Sequence, residues 1–345
     1  MVSARSEQDA SADRVLVIFP GALGDLVCLG PALRALARRH REATLELMAR
    51  EELARFAVDR FDGIRIGNLH GDSDARSDAH SPAHSHSRDS RSRAHSIDRR
   101  EVAALFAEAP ELAEAERFFR PFARIYSFFA SDDARFRRAL QAAAAPDAVS
   151  FHAFRPRSAG HVAAAYLDEI GEHGVPLDAH IEVLAGDIAE AERAIAGLGL
   201  GNAGVVLLFP GSGGVHKNWP ADNFAALANA LPPPTRALVV LGPAEGAIEP
   251  LLMPLLAERG IAWIRDPPLS TVAGLAHLAT GFVGNDSGVS HLAAAAGAPG
   301  VVIFGPTDPD RWRPLGRVRV VRAPKLADLT PTEVASALKE TLLKG

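Results

Sequence analysis

Short apolar runs, each closed by Gly, Pro, Asn or Asp, recur along the whole chain, and most are followed by a stretch with helical spacing. In the first half these are "RVLVIFP", "ATLELMA", "FDGIRIG", "RIYSFFA" and "AVSFHAF". Leu26, Leu29, Leu33, Leu36 and Ala37 mark the inner face of a helix that ends near His40, and "SAGHVAAAYLDEIG" reads as another helix. The second half is cleaner: "GVVLLFP", "RALVVLG", "IAWIRD", "GFVGND", "GVVIFGP" and "RVRVVRA" alternate with helical stretches, and "TPTEVASALKETLLKG" closes the chain as a capped helix. Runs that are apolar throughout, rather than at every second position, suit strands covered on both faces, so the pattern predicts doubly wound parallel α/β sheets. The run from Val15, "VLVIFPG", is echoed by "VVLLFPG" from Val205. Each echo would open a unit of its own.

Two stretches break the pattern. Residues 70–97 are dense in Ser, His, Arg and Asp and nearly free of large apolar side chains, a composition that cannot bury enough surface to fold alone. They read as a disordered insertion, with metal binding by His80, His84, His86 and His95 as the alternative. The stretch from Val175 to Gly204 is rich in glycine and reads as a bridge. The resulting scheme is a polar tail over 1–13, a first Rossmann-like domain over 14–180, a linker over 181–203, a second domain over 204–330 and a terminal helix over 331–345.

Composition narrows the class. A chain of 345 residues suits two domains, 48% of it is apolar and 23% charged, and no apolar run is long enough to span a bilayer. With no signal-peptide pattern at the start, a soluble, cytoplasmic protein is expected. A net charge of −5 gives no reason to expect a nucleic-acid partner. Cys28, the single cysteine, excludes an internal disulfide or a Cys-rich zinc site and falls in an apolar helical stretch that implies core packing. Only four of 37 basic residues are lysines, which makes the position of each one informative.

Parallel sheets bind ligands at the carboxyl ends of their strands, and three loops there carry candidate chemistry. In "FPGSGGVHKNWP", Gly211, Gly213 and Gly214 free the backbone to turn N–H groups toward an anion, and Lys217 adds a positive charge. The loop is neither a Walker A motif nor a G-x-G-x-x-G fingerprint. In "VGNDSGVSH", Asp286 or Ser287 is placed to cap a helix whose N–H groups favour an anion, and His291 leans back over that helix end. In "GALGD", Gly21 and Gly24 lead to Asp25 at a helix start, where the dipole favours an ionised carboxylate suited to act as a base or a cap.

The segments "GALGDLVCLGPALRAL", "FPGSGGVHKNWPADNFAALANAL" and "NDSGVSHLAAAAGAPGVVIFGPTDPDRW" resemble, in order and separation, the signatures of glycosyltransferase family 9, the ADP-heptose:lipopolysaccharide heptosyltransferases. The resemblance implies a GT-B fold, two Rossmann-like domains facing a cleft, with the acceptor on the first and an ADP-sugar donor on the second. It implies Asp25 as the general base and Lys217 as the residue on the diphosphate. Ser212, Gly213, Gly214, Glu245, Leu269, Asp286, Ser287, Gly288 and His291 then fall at donor positions, Glu245 on the ribose and Leu269 near the adenine. Transfer with inversion, no metal and no cofactor are expected, as is a glycan or glycolipid acceptor at the inner membrane surface, reached by peripheral contact and without a transmembrane segment. A GT-B nucleotide-sugar epimerase and a non-catalytic sugar-nucleotide binding module are the rival readings. The first-domain insertion departs from the family pattern.

Overall fold

The computed structural model describes residues 14–61, 94–107, 112–201 and 203–343. The tail over 1–13, the run "FDGIRIG" beyond Phe61, and His80, His84 and His86 lie outside them. The chain divides into two units: the first takes its residues from 1–20, 36–59 and 63–154, the second from 21–35, 60–62 and 155–345.

The first unit is built on five parallel strands, β1 (Arg14–Ile18), β2 (Thr44–Ala49), β3 (Ala94–Ser96), β4 (Arg124–Ser127) and β5 (Val149–Phe151), in the order β3-β2-β1-β4-β5. In register, Val15 lies opposite Leu45 and Arg124. Leu16, Ile18, Phe119, Phe122, Phe136 and Leu140 fill the core on one side of this sheet. Burying each of these side chains contributes about 1.5–3 kcal/mol, which is what holds such short strands in place.

β3 corrects the reading of residues 70–97 at its end. His95 is buried, and its Nε2 meets Glu46 Oε2 at 2.6 Å, while Arg14 grips the same carboxylate through Nε and Nη2 at 2.7 and 2.9 Å. The ring also stands edge-on to Phe118. Composition could not show this, because the partner that makes a histidine worth burying lies in another strand.

The second unit holds six parallel strands, β6 (Val205–Phe209), β7 (Arg236–Leu241), β8 (Ala262–Arg265), β9 (Gly281–Asn285), β10 (Gly300–Phe304) and β11 (Val318–Arg322). All six fall on the runs read from the sequence. Their order is β11-β10-β9-β6-β7-β8, so the chain reverses direction of travel between β6 and β9. Leu208 lies opposite Val283 and Phe209 opposite Gly284, and the loops leaving these two strands therefore emerge side by side. The terminal helix Pro331–Leu343 is capped as expected: Glu333 accepts the Thr330 N–H at 2.8 Å, and the Thr330 hydroxyl accepts the Glu333 N–H at 3.3 Å.

The stretch over 181–203 is not a free linker. Most of it is the helix Ala185–Gly197, packed on the helix Leu269–Leu278 so closely that a Cβ on Gly274 would overlap the Asp187 carbonyl. Asp187 is buried in a two-point ion pair with Arg60, at 2.6 and 3.1 Å. The glycines at 197 and 199 that suggested a bridge end this helix, Gly199 in a left-handed turn.

Candidate functional site

The loops after β6 and β9 are joined where they emerge. Lys217 Nζ lies 2.8 Å from Asp286 Oδ2, which is buried. Below them Asn285, fully buried, donates from Nδ2 to the Pro210 carbonyl at 2.7 Å and accepts the Trp219 N–H on Oδ1 at 3.0 Å. Its side chain thus fixes both ends of the segment carrying Lys217. Within that segment the Ser212 hydroxyl meets Asn218 Oδ1 at 2.6 Å and accepts the Gly214 N–H at 3.3 Å. These contacts shape the turn that keeps Lys217 against Asp286.

Glu245 follows β7 and is buried against the same loop. It accepts the Gly242 N–H at 2.8 Å, and a Cβ on Gly211 would overlap its carboxylate, so the first glycine of "GSGG" is there to let Glu245 in. Burial raises the Glu245 carboxyl above its ordinary range, and Asp266 adds to the effect. Leu269, half-buried at the start of the helix after β8, stands further along the strand order.

Ser287 occupies the N-cap position of the helix Gly288–Ala295, but its hydroxyl makes no capping bond. It lies 3.2 Å from Ser290 Oγ instead, and Asp286 is engaged by Lys217. The expected side-chain cap is therefore absent: Asp286 is taken by a tertiary partner, and the Ser287 hydroxyl turns to Ser290 in the first turn of its own helix. His291 is buried on this helix with Nδ1 3.5 Å from Cys28 Sγ. Burial lowers its pKa to about 4, against the opposing pull of Asp286 and Asp25, so the ring is neutral. Burial likewise raises the Cys28 thiol, which leaves it an inert packing group, as its sequence context implied.

The "GALGD" loop meets this helix start. The second unit includes 21–35, and a Cβ on Gly24 would stand 3.2 Å from His291 Cδ2 and 3.3 Å from Gly288 Cα. Glycine at both 24 and 288 permits the approach. Asp25 lies in the first turn of the helix Leu23–Arg39, and its Oδ2 accepts the Ala22 N–H at 3.1 Å, so it does serve the helix start. It has a second partner: Arg155 donates from Nε to Oδ1 at 2.9 Å and from Nη2 to Oδ2 at 2.8 Å. Arg155, Asn285 and Trp219 carry no local signal of their roles. Asn285 and Trp219 were legible only as neighbours of Asp286 and Lys217.

The model of glycosyltransferase family 9 (heptosyltransferase) matches residues 161–333, half of the chain. The chain belongs to glycosyltransferase family 9. Lipopolysaccharide heptosyltransferase 2 of Escherichia coli is 31% identical over 155 residues, covering 38% of this chain and 44% of the relative, and lipopolysaccharide heptosyltransferase 1 of the same species is 30% identical over 135 residues, 37% and 40% of the two chains. The chain spans under half the length of these curated relatives. Fold likeness reaches further: the family 9 glycosyltransferase of Veillonella parvula superposes with a TM-score of 0.73 at 16% identity over 96% of this chain and 98% of that one. E. coli heptosyltransferase II gives 0.68 at 19% identity over 96% and 99%, and E. coli heptosyltransferase WaaC, solved with ADP, gives 0.63 at 17% over 95% and 99%. With its two parallel α/β sheets, this family 9 member has the GT-B fold.

Proposed function

We propose that this chain transfers heptose from ADP-heptose to a lipopolysaccharide core acceptor, with inversion at the anomeric carbon. The acceptor hydroxyl attacks that carbon, the bond to the diphosphate breaks, ADP leaves from the opposite face, and the hydroxyl proton passes to Asp25. Negative charge grows on the leaving diphosphate, where Lys217 and the N–H groups near Gly213, Gly214, Ser287 and Gly288 would meet it without requiring a metal ion. Glu245 would hold the ribose, and neutral His291 would shape the sugar end of the donor site. Curated relatives named lipopolysaccharide heptosyltransferases and neighbours solved with ADP and with ADP-2-deoxy-2-fluoro heptose support the donor and acceptor classes.

The observation that carries the reading is the approach of Gly24 to Gly288, which brings the turn bearing Asp25 against the helix start that follows Asp286. Mass spectrometry of the purified protein with ADP-heptose and core oligosaccharides tests it. A product heavier by one heptose residue, with ADP released, is expected. Conversion of the sugar nucleotide without any acceptor product would point to an epimerase instead.

A further inference from the structure

Asp25 and Arg155 differ sharply in exposure. The Asp25 side chain is 4% exposed and Arg155 50%, so the guanidinium lies on the solvent side and closes the carboxylate off with two parallel hydrogen bonds. Both Asp25 oxygens are engaged, Oδ2 twice and Oδ1 once, with Arg155 on the solvent side of the carboxylate. The main chain at Arg155 is in the left-handed region, φ 52°, which costs a non-glycine residue free energy and persists only where the surroundings impose it. Here they do: Arg311 donates to the carbonyls of Ser158 and Gly160, at 2.8 and 3.2 Å, and to that of Pro156, pinning the segment that follows. The guanidiniums of Arg155 and Arg311 both lie 5.4 Å from the Trp312 ring.

The setting is rich in cations. Arg157 and Arg313 are exposed and make no ion pair among the described residues; of the nearby carboxylates, Asp308 caps the turn at Asp310, and Asp286, which with Asp25 acts on His291, is paired with Lys217. A bidentate guanidinium on a platform of aromatic and cationic groups suits a carboxylate or phosphate. We propose that Arg155 is a displaceable cover over Asp25, drawn off when an anionic group of the acceptor takes its guanidinium, so that the base is uncovered beneath an acidic acceptor. This rests on the reading of Asp25 as the base of heptosyl transfer. Proton transfer itself is unchanged; what Arg155 adds is selection of the acceptor by charge.

The test compares wild type, Arg155→Gln and Arg155→Lys with three probes: deacylated lipopolysaccharide core oligosaccharide, the same with its carboxylates methyl-esterified, and the same after dephosphorylation. Wild type should prefer the intact probe over one neutralised form by roughly tenfold in kcat/KM, and which form loses identifies carboxylate or phosphate as the displacing anion. In Arg155→Gln the KM for the intact probe should rise while transfer to the neutralised one is not reduced, because the cover is gone. Arg155→Lys should keep part of the preference, and ADP affinity should stay within about twofold in both variants. An equal fall for all probes would make Arg155 a structural residue and overturn the proposal, as would equal rates for all probes in wild type. If Arg155→Gln is unstable, an equal fall for all probes in Arg155→Lys has the same force. Wild type that binds ADP yet transfers heptose to no probe would overturn the functional reading itself, and the cover with it.

Discussion

Lys217 Nζ and Asp286 Oδ2 lie 2.8 Å apart although 69 positions separate them in the chain. They meet because β6 and β9, which deliver their loops, are neighbours at the point where the strand order reverses. In the proposed donor site a carboxylate beside the diphosphate would repel it unless a cation offset the charge, so the lysine would have two tasks.

Lys217→Ala should therefore weaken ADP binding by about tenfold or more, through loss of a charge-assisted contact and through an uncompensated Asp286. Adding Asp286→Asn should recover part of the loss, so the two changes should not be additive. Calorimetric titration of the single and double variants with ADP decides; strict additivity would separate the two residues functionally.

Asp25→Asn keeps the shape of the helix start while removing the proposed proton acceptor. Turnover should fall by about 10²–10⁴, with ADP affinity within twofold of wild type. A parallel loss of ADP binding would show instead that the carboxylate matters for the loop that Gly24 presses against His291.

His291 gives a signed pH dependence of stability. Burial lowers its pKa to about 4, so as pH falls below its ordinary value near 6.5 the unfolded chain takes up a proton that the native one refuses. Native stability should decline between about pH 6.5 and 4, on the order of 3 kcal/mol from this group, and be flat in this respect above pH 7. His161, lowered mainly by burial, acts in the same direction. Denaturant melts at pH 7.5 and 5 should show a shallower decline for His291→Gln, and an unchanged decline would remove the burial argument.

Gly211→Ala places a methyl group in the Glu245 carboxylate. Both melting temperature and ADP affinity should drop. Thermal melts of Gly211→Ala/Glu245→Ala should show the stability loss largely relieved, because the overlap is gone, while ADP affinity stays low. Recovery of affinity in the double variant would remove Glu245 from the ribose.

Deletion of 71–92 should leave thermal stability within a few degrees of wild type, since that composition offers little to a core. Extending the deletion to residue 96 removes β3 and leaves Glu46 buried without His95, and should lower the melting temperature clearly more. Equal stability of the two deletions would show that the strand adds nothing.

All six strands of the second unit, four of those in the first, the terminal helix cap and the loops bearing Lys217 and Asp286 are written locally, because apolar runs, turn residues and capping pairs act within a few positions of one another. Tertiary structure decided the rest. It gave Asp25 a partner 130 positions away in Arg155, set Cys28 against His291 across 263 positions, and buried His95 on Glu46 inside a tract whose composition argued for none of it. It also turned a glycine-rich bridge into a packed helix anchored by Arg60 and Asp187. Buried pairs such as Arg60 with Asp187 and His95 with Glu46 form where folding has removed the water around them and an unpaired group would be costly. A single stretch of sequence carries no trace of that environment.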